Sequence, residues 1–272
     1  MAVDGSCIER TGGIARVGNG ARRRFWPKFL AQASGPIKST EAGSSGLTRF
    51  GAHCVHELNG AIMYVPAHFN EARKDVLHTL IAQNPFGTLI THGANGLDAN
   101  HIPFELASNE GEFGVLHAHV ARNNPLWQDV ANGDETLVVF RAGDAYVSPT
   151  WYPSKHEAHR QVPTWNYVVV HAHGRITIRD DEKYVRGVVA RLTRTHEAGE
   201  TQPWKMGDAP AEYIDAMLKA IVGVEIEITR LIGKSKLSQN KDARDIQGAG
   251  EALKARENRI GDQMLACLAE KP

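Results

Sequence analysis

Between Val147 and Gly174 the chain concentrates side chains suited to holding a flat, charged ligand. Ser148-Pro149-Thr150-Trp151-Tyr152-Pro153-Ser154-Lys155 is followed by a polar turn and then by Val162-Pro163-Thr164-Trp165-Asn166-Tyr167. The prolines fix φ and remove donors, so this backbone is stiff. Tryptophan and tyrosine offer an apolar face with a polar tip, while Lys155, Thr164 and Asn166 offer donors. A planar, anionic, hydroxylated ligand needs that mixture. The competing reading is a packed corner of a β protein with incidental polar residues.

Other chemistry is weakly signalled. His117-x-His119 and His171-x-His173 each put two imidazoles on one strand face. A zinc site needs three or four ligands with supporting partners, and no cysteine or carboxylate spacing supplies the rest, so no metal is assigned. There is no Ser/His/Asp spacing, nucleophile elbow or paired-carboxylate motif, so no catalytic residue is assigned either.

These residues need positioning elements. Helical spacing is expected from Asn70, a candidate N-cap, with Ala72, Val76, Leu77, Leu80 and Ile81 as an apolar stripe. Strands are expected over 86–91, 99–106, 114–120, 136–140, 145–147, 167–178 and 224–231, with a tight turn at Gly93-Ala94-Asn95-Gly96. Asn123-Asn124-Pro125 opens a short helix. Longer helices are expected over 182–197 and 209–221, and one terminal helix over 249–268. Short strands with frequent turn signals predict a mainly β, α+β chain: a small barrel with helices at its edges.

Composition narrows the classes. The 31 basic and 31 acidic residues cancel, but residues 1–62 hold eight Lys/Arg against four Asp/Glu, leaving 23 against 27 beyond them. A net of −4 over the patterned part is no electrostatic footprint for nucleic acid, so the basic cluster around Lys234, Lys236, Lys241 and Arg244 reads as a solvated face. Three scattered cysteines suggest a reducing, cytoplasmic setting without a disulfide framework. Residues 1–62 lack periodicity and read as a disordered leader or a mis-assigned start. Ordered patterning begins at Met63, giving one domain over 63–272 with a C-terminal helical extension.

Several motifs occur together in order: Met63-Tyr64-Val65-Pro66-Ala67-His68-Phe69, the run from His119 to Trp127, Ser148 to Lys155, Val162 to Tyr167, and Lys236-Leu237-Ser238-Gln239-Asn240. Together they resemble the PaiB-type family of FMN-binding negative transcriptional regulators. The resemblance implies an FMN-binding split β-barrel with peripheral helices, a homodimer with flavin at the subunit interface, and flavin-linked repression. A DNA or regulatory partner rests on the resemblance alone. An FMN-dependent oxidoreductase, or a haem-handling split-barrel enzyme, is the alternative.

With FMN as the implied cofactor, residues can be weighed one by one. The phosphate carries nearly two negative charges, and no Gly-rich phosphate loop is present, so side chains must hold it. Arg122, just past a strand and before a helix start, is the candidate for a bidentate grip, against a surface ion pair. Lys155 is a second phosphate or flavin-edge candidate. Asn124 is a further candidate that can equally cap the helix. His101 and Phe104 lie on the hairpin strand that lines flavin in this fold type, with surface and core as their alternatives. His119 joins the cofactor set from the His-x-His strand. Trp165 and Asn166 put an aromatic and an amide side by side, suited to a ring with hydrogen-bonding edges.

Overall fold

The computed structural model describes residues 63–269, so the expectations for residues 1–62 lie outside the described residues. A short turn at Ala67–Phe69 leads into β1 (Asn70–Glu71) and α1 (Lys74–Gln83). The helix starts later than Asn70 predicts, because Asn70 and Glu71 pair with Lys234 and Gly233 instead. The stripe holds in its centre, where Leu77 and Ile81, one turn apart, are buried and Val76 and Leu80 half-buried, while Ala72 precedes the helix and is exposed. Asn84 then ends the helix, its side-chain amide donating to Leu80 O at 2.8 Å.

Next come β2 (Phe86–Gly93), β3 (Gly96–Pro103), β4 (Glu105–Ala107), β5 (Val115–Ala121) and α2 (Leu126–Asp129). They are followed by β6 (Glu135–Val147), α3 (Pro153–Ala158), β7 (Thr164–Arg179), α4 (Glu182–Glu197), α5 (Ala211–Lys219) and β8 (Ile221–Lys236). Last are α6 (Ala243–Lys254) and α7 (Arg259–Ala269). Where one terminal helix was expected there are two. Glu257 takes a positive φ of 56°, and Asn258 Oδ1 receives the N–H of Ile260, so the chain breaks and restarts.

All strand pairs are antiparallel, in the order β3-β2-β6-β7-β8-β5-β4, with β1 on β8. The two edge strands, β3 and β4, are separated in sequence by Phe104 alone. One residue cannot cross a flat sheet, so the sheet must curl until its edges meet; this is a split β-barrel. Bulges between Arg141 and Asp144, and beside His173 and Gly174, bend the long strands as that closure requires. Gly143 supplies φ of 130° at the first bulge.

The barrel interior is filled by Leu89, Leu116, Val138, Phe140, Ile176, Val224 and Ile226, with Leu77 and Ile81 of α1 closing one end. A second apolar cluster joins Ala145, Val147, Tyr152 and Val168 to Ile246, Leu253, Ile260 and Met264 of the C-terminal helix pair. A third holds α4 and α5 together through Val185, Ile214 and Leu218.

Candidate functional site

Side chains alternate along β7. Asn166, Val168, Val170 and Ala172 point inward and are buried, so Trp165, Tyr167, Val169, His171 and His173 point outward. Strand register extends that outer face across the sheet. One row runs His101–Thr88–Val139–His171–Ile232, and its neighbour Ala99–Ile90–Leu137–His173–Arg230. Beyond the bulge the face continues with Asp144–Tyr167–Lys236 and the Tyr146–Trp165 pair. Phe86, Leu97, Tyr146 and Trp165, all on this face, are among the chain's exposed large apolar residues. A contiguous outward face of this kind is a candidate binding surface.

Its aromatic end sets two flat rings beside lysine ammonium groups. Trp165 is 55 % exposed and meets Tyr146 edge-on, ring centroids 6.0 Å apart. Lys234 Nζ lies 5.5 Å from the Tyr167 ring and 5.6 Å from Tyr64, and Lys236 Nζ lies 6.0 Å from Tyr167. Lys236 donates to Thr164 Oγ1 at 2.5 Å and to Trp165 O, and Lys234 donates to Tyr64 O at 2.8 Å. An ammonium has three protons, so both lysines keep donors beyond these bonds. Burial, and then the neighbouring Lys234, hold the Lys236 ammonium below the usual lysine range. Two adjacent cations on an aromatic face could be bridged by one anion.

The predicted residues fall into separate places. Trp165 and His101 are on the open face, with His101 Nδ1 3.0 Å from Thr88 Oγ1. Phe104 is core, 2 % exposed and edge-on to Phe140. Asn166 points the other way from Trp165 and is fully buried, donating to Ser238 Oγ at 2.9 Å. Asn124 does cap: its Oδ1 receives the N–H of Leu126 at 2.9 Å, while its amide reaches Asn100. His119 is half-buried on β5, its Nδ1 without a partner among the described residues. Lys155 is on α3, beside α6 rather than in a sheet row.

Arg122 is already occupied. It grips Asp180 with two bonds (2.9 and 2.5 Å) and donates to Lys219 O and Ile221 O, stapling three turns together. Asp180 lies just past the far end of β7, roughly 50 Å of strand from Trp165 at ~3.3 Å per residue. Within one chain the two residues are not brought to one ligand.

Sequence reading missed Tyr146, Tyr167, Lys234, Lys236 and Tyr64 as a group. The period-two run from Trp165 to His173 was the available signal, with Lys236 opening the last quoted motif. The Ser148–Lys155 stretch instead forms the polar joint to the C-terminal helices. Buried Asp245 accepts from Ser154 N at 2.9 Å and Ser154 Oγ at 2.6 Å, and Gln161 bridges Ser154 to Lys241. Trp151 stacks under Arg256 at 4.7 Å.

A family model described as "Putative FMN-binding domain" matches residues 63–230. The chain belongs to this family. The matched segment contains the Tyr146–Trp165–Tyr167 aromatics and the outward histidines His101, His171 and His173; Lys234 and Lys236 lie just beyond it on β8. The protease synthase and sporulation protein PAI 2 of Bacillus subtilis is 27% identical over 209 residues, covering 77% of this chain and 98% of that protein. An uncharacterised protein of Emericella nidulans is 34% identical, covering 68% of this chain and 88% of its own. Among solved structures, the FAD and heme binding protein of Mycobacterium smegmatis is 16% identical with a TM-score of 0.44, covering 61% of this chain and 73% of that one. The flavocytochrome Anf3 of Azotobacter vinelandii is 11% identical with a TM-score of 0.48, covering 64% and 73%. Among the described residues no helix is long and apolar enough to cross a membrane, and no group of three or more His, Cys, Asp or Glu is placed to hold a metal.

Proposed function

We propose that this chain is an FMN-binding protein whose flavin lies on the outward face of β6, β7 and β8, covered by the same face of a second copy. The observation that carries the reading is the Tyr146–Trp165–Tyr167 aromatic end set beside Lys234 and Lys236. The residues fit the group. A dianionic phosphate would relieve the facing charges of the two lysines, and the aromatic faces suit an isoalloxazine ring. When bound, FMN supplies hydride and single-electron chemistry; the protein binds it, orients it and keeps water from it. His171 Nδ1 and His173 Nε2 are buried on this face without partners among the described residues, and a covering subunit would complete them.

The regulatory part of the proposal, flavin-linked repression acting through DNA or a partner, rests on the resemblance to PaiB-type regulators and on the relative named for protease synthesis and sporulation. Absorbance of the purified protein with added FMN, read alongside sedimentation, tests the binding reading. Saturable, near-stoichiometric flavin uptake by a dimer is expected, and a protein that takes up no flavin overturns it. Turnover of reduced nicotinamide by the loaded protein would favour the oxidoreductase alternative.

A further inference from the structure

A different cleft, of about 400 Å³, opens on the outer side of β5 and β8 beneath α4. At its floor His117 is only 6 % exposed, with Nδ1 2.8 Å from the hydroxyl of Tyr184. That hydroxyl also donates to Val224 O at 3.1 Å. A hydroxyl has one proton and a carbonyl only accepts, so His117 Nδ1 must be the donor. The neutral ring therefore carries its lone pair on Nε2. Glu110 Oε2 lies 3.7 Å from that Nε2. Among the described residues, no N–H or O–H is hydrogen-bonded to either group.

Two other pairs of opposite charge stand around the cleft. Arg179 grips Glu225 with contacts of 3.0, 3.1 and 3.3 Å, and Glu225 Oε2 stands 4.0 Å from His117 Nδ1. Arg191 holds Glu105 at 2.6 Å, and Asp181 caps α4 by accepting from Tyr184 N. Lys183 lines the rim, and Gly187 leaves α4 without a side chain there. What remains is the Nε2 edge of a nearly buried ring, open to the cleft, and a carboxylate facing the same space, two acceptors that one donor can bridge.

We infer that this cleft is a second ligand site, one that takes a small molecule bearing a protonated amine. The ammonium would place one N–H on His117 Nε2 and another on the Glu110 carboxylate. A metal ion is the poorer occupant, because the described residues here offer no three-ligand set. The volume suits a compact organic cation. This site shares no residue with the proposed flavin face, so the two readings stand or fall separately.

The test follows the His117 imidazole C–H signals by NMR while propylammonium chloride is added to the full chain. A saturable shift is expected, weakened at least tenfold in Glu110→Gln, an exposed loop position whose change leaves FMN uptake as in the parent. Tetramethylammonium chloride, which carries the charge but no N–H, should leave the signals unmoved. Equal, unsaturated drift with both salts would mean ionic strength alone and would overturn the proposal. So would a saturable response to sodium propionate in place of propylammonium, which would make the cleft an anion site built on Arg179 and Arg191.

Discussion

Arg122 and Asp180 form a two-bond fork, Nη1 to Oδ2 at 2.9 Å and Nη2 to Oδ1 at 2.5 Å, that ties the end of β5 to the turn between β7 and α4. The fork, with Lys219 O and Ile221 O, uses N–H groups of all three guanidinium nitrogens. The guanidinium beside it holds the Asp180 carboxyl below its usual range. Arg122→Ala should therefore lower the melting temperature while changing FMN and riboflavin affinity by the same small factor. Paired titrations of both ligands check this. Selective loss of FMN would return Arg122 to the phosphate, contributed from across a dimer.

Lys236 and Trp165 should separate the two halves of the ligand. Lys236→Met should weaken FMN by about 1.5–3 kcal/mol, roughly tenfold to a hundredfold, and leave riboflavin nearly unchanged. Trp165→Ala should weaken both ligands by at least about 1 kcal/mol, because it removes ring contact rather than charge. Fluorescence titration of each variant with each flavin reads the pattern. Equal effects of the two substitutions would remove the lysine from the phosphate role.

Acid should destabilise the chain in a window set by its histidines. Burial holds His117, His119, His171 and His173 all below the ordinary 6.5, aided by Lys234 at His171 and by Arg230 at His173. The unfolded chain takes up protons near pH 6.5 that the folded chain refuses. Stability is thus complete above that pH and falls as pH drops toward the lowered folded values. The lowered carboxyls of Glu71 and Asp180 act further down, below their ordinary 4.5 and 3.8. Urea midpoints measured from pH 8 to 5 should decline, and His119→Gln should flatten the decline.

Asp245 tests the joint between barrel and C-terminal helices. At 1 % exposure it receives Ser154 N and Ser154 Oγ, so Asp245→Ala leaves partly buried donors without an acceptor. A loss of about 1–3 kcal/mol is expected, or a few degrees per kcal/mol in melting temperature. Flavin affinity should hold, since the open face is on the other side of β7. Differential scanning calorimetry with a flavin titration decides it.

Much of the fold was legible because the strands alternate and the turns carry their glycines and asparagines. The hairpin of β2 and β3, the helix stripe at Leu77 and Ile81, and α4 all follow from local pattern. What pattern could not show was length and partner. Strands of 13 and 16 residues run on through bulges that interrupt the alternation, as between Arg141 and Asp144. The site was half legible for the same reason. Trp165 and Asn166 are neighbours in sequence, yet a strand sends adjacent side chains to opposite faces, one to the open sheet and one to the core. Lys236 meets Tyr167 only through a register set by the whole barrel. Arg122 reads identically in sequence whether its partner is a phosphate or Asp180.

The single residue between the two edge strands has a mechanical consequence. Phe104 hands the chain from β3, paired to β2, directly to β4, paired to β5. The two borders of the sheet are geared to each other: neither can slip by one position without dragging the other. A slip would turn His101 from the outer row toward the interior and expose Ile102 in its place. The gear tooth is held by the Phe104 N–H on Pro85 O at 2.9 Å and by its ring against Phe140. The barrel's interior thus sets the phase of its outer surface, and the rows that face outward keep their order because the one residue between the two edges is anchored in the core.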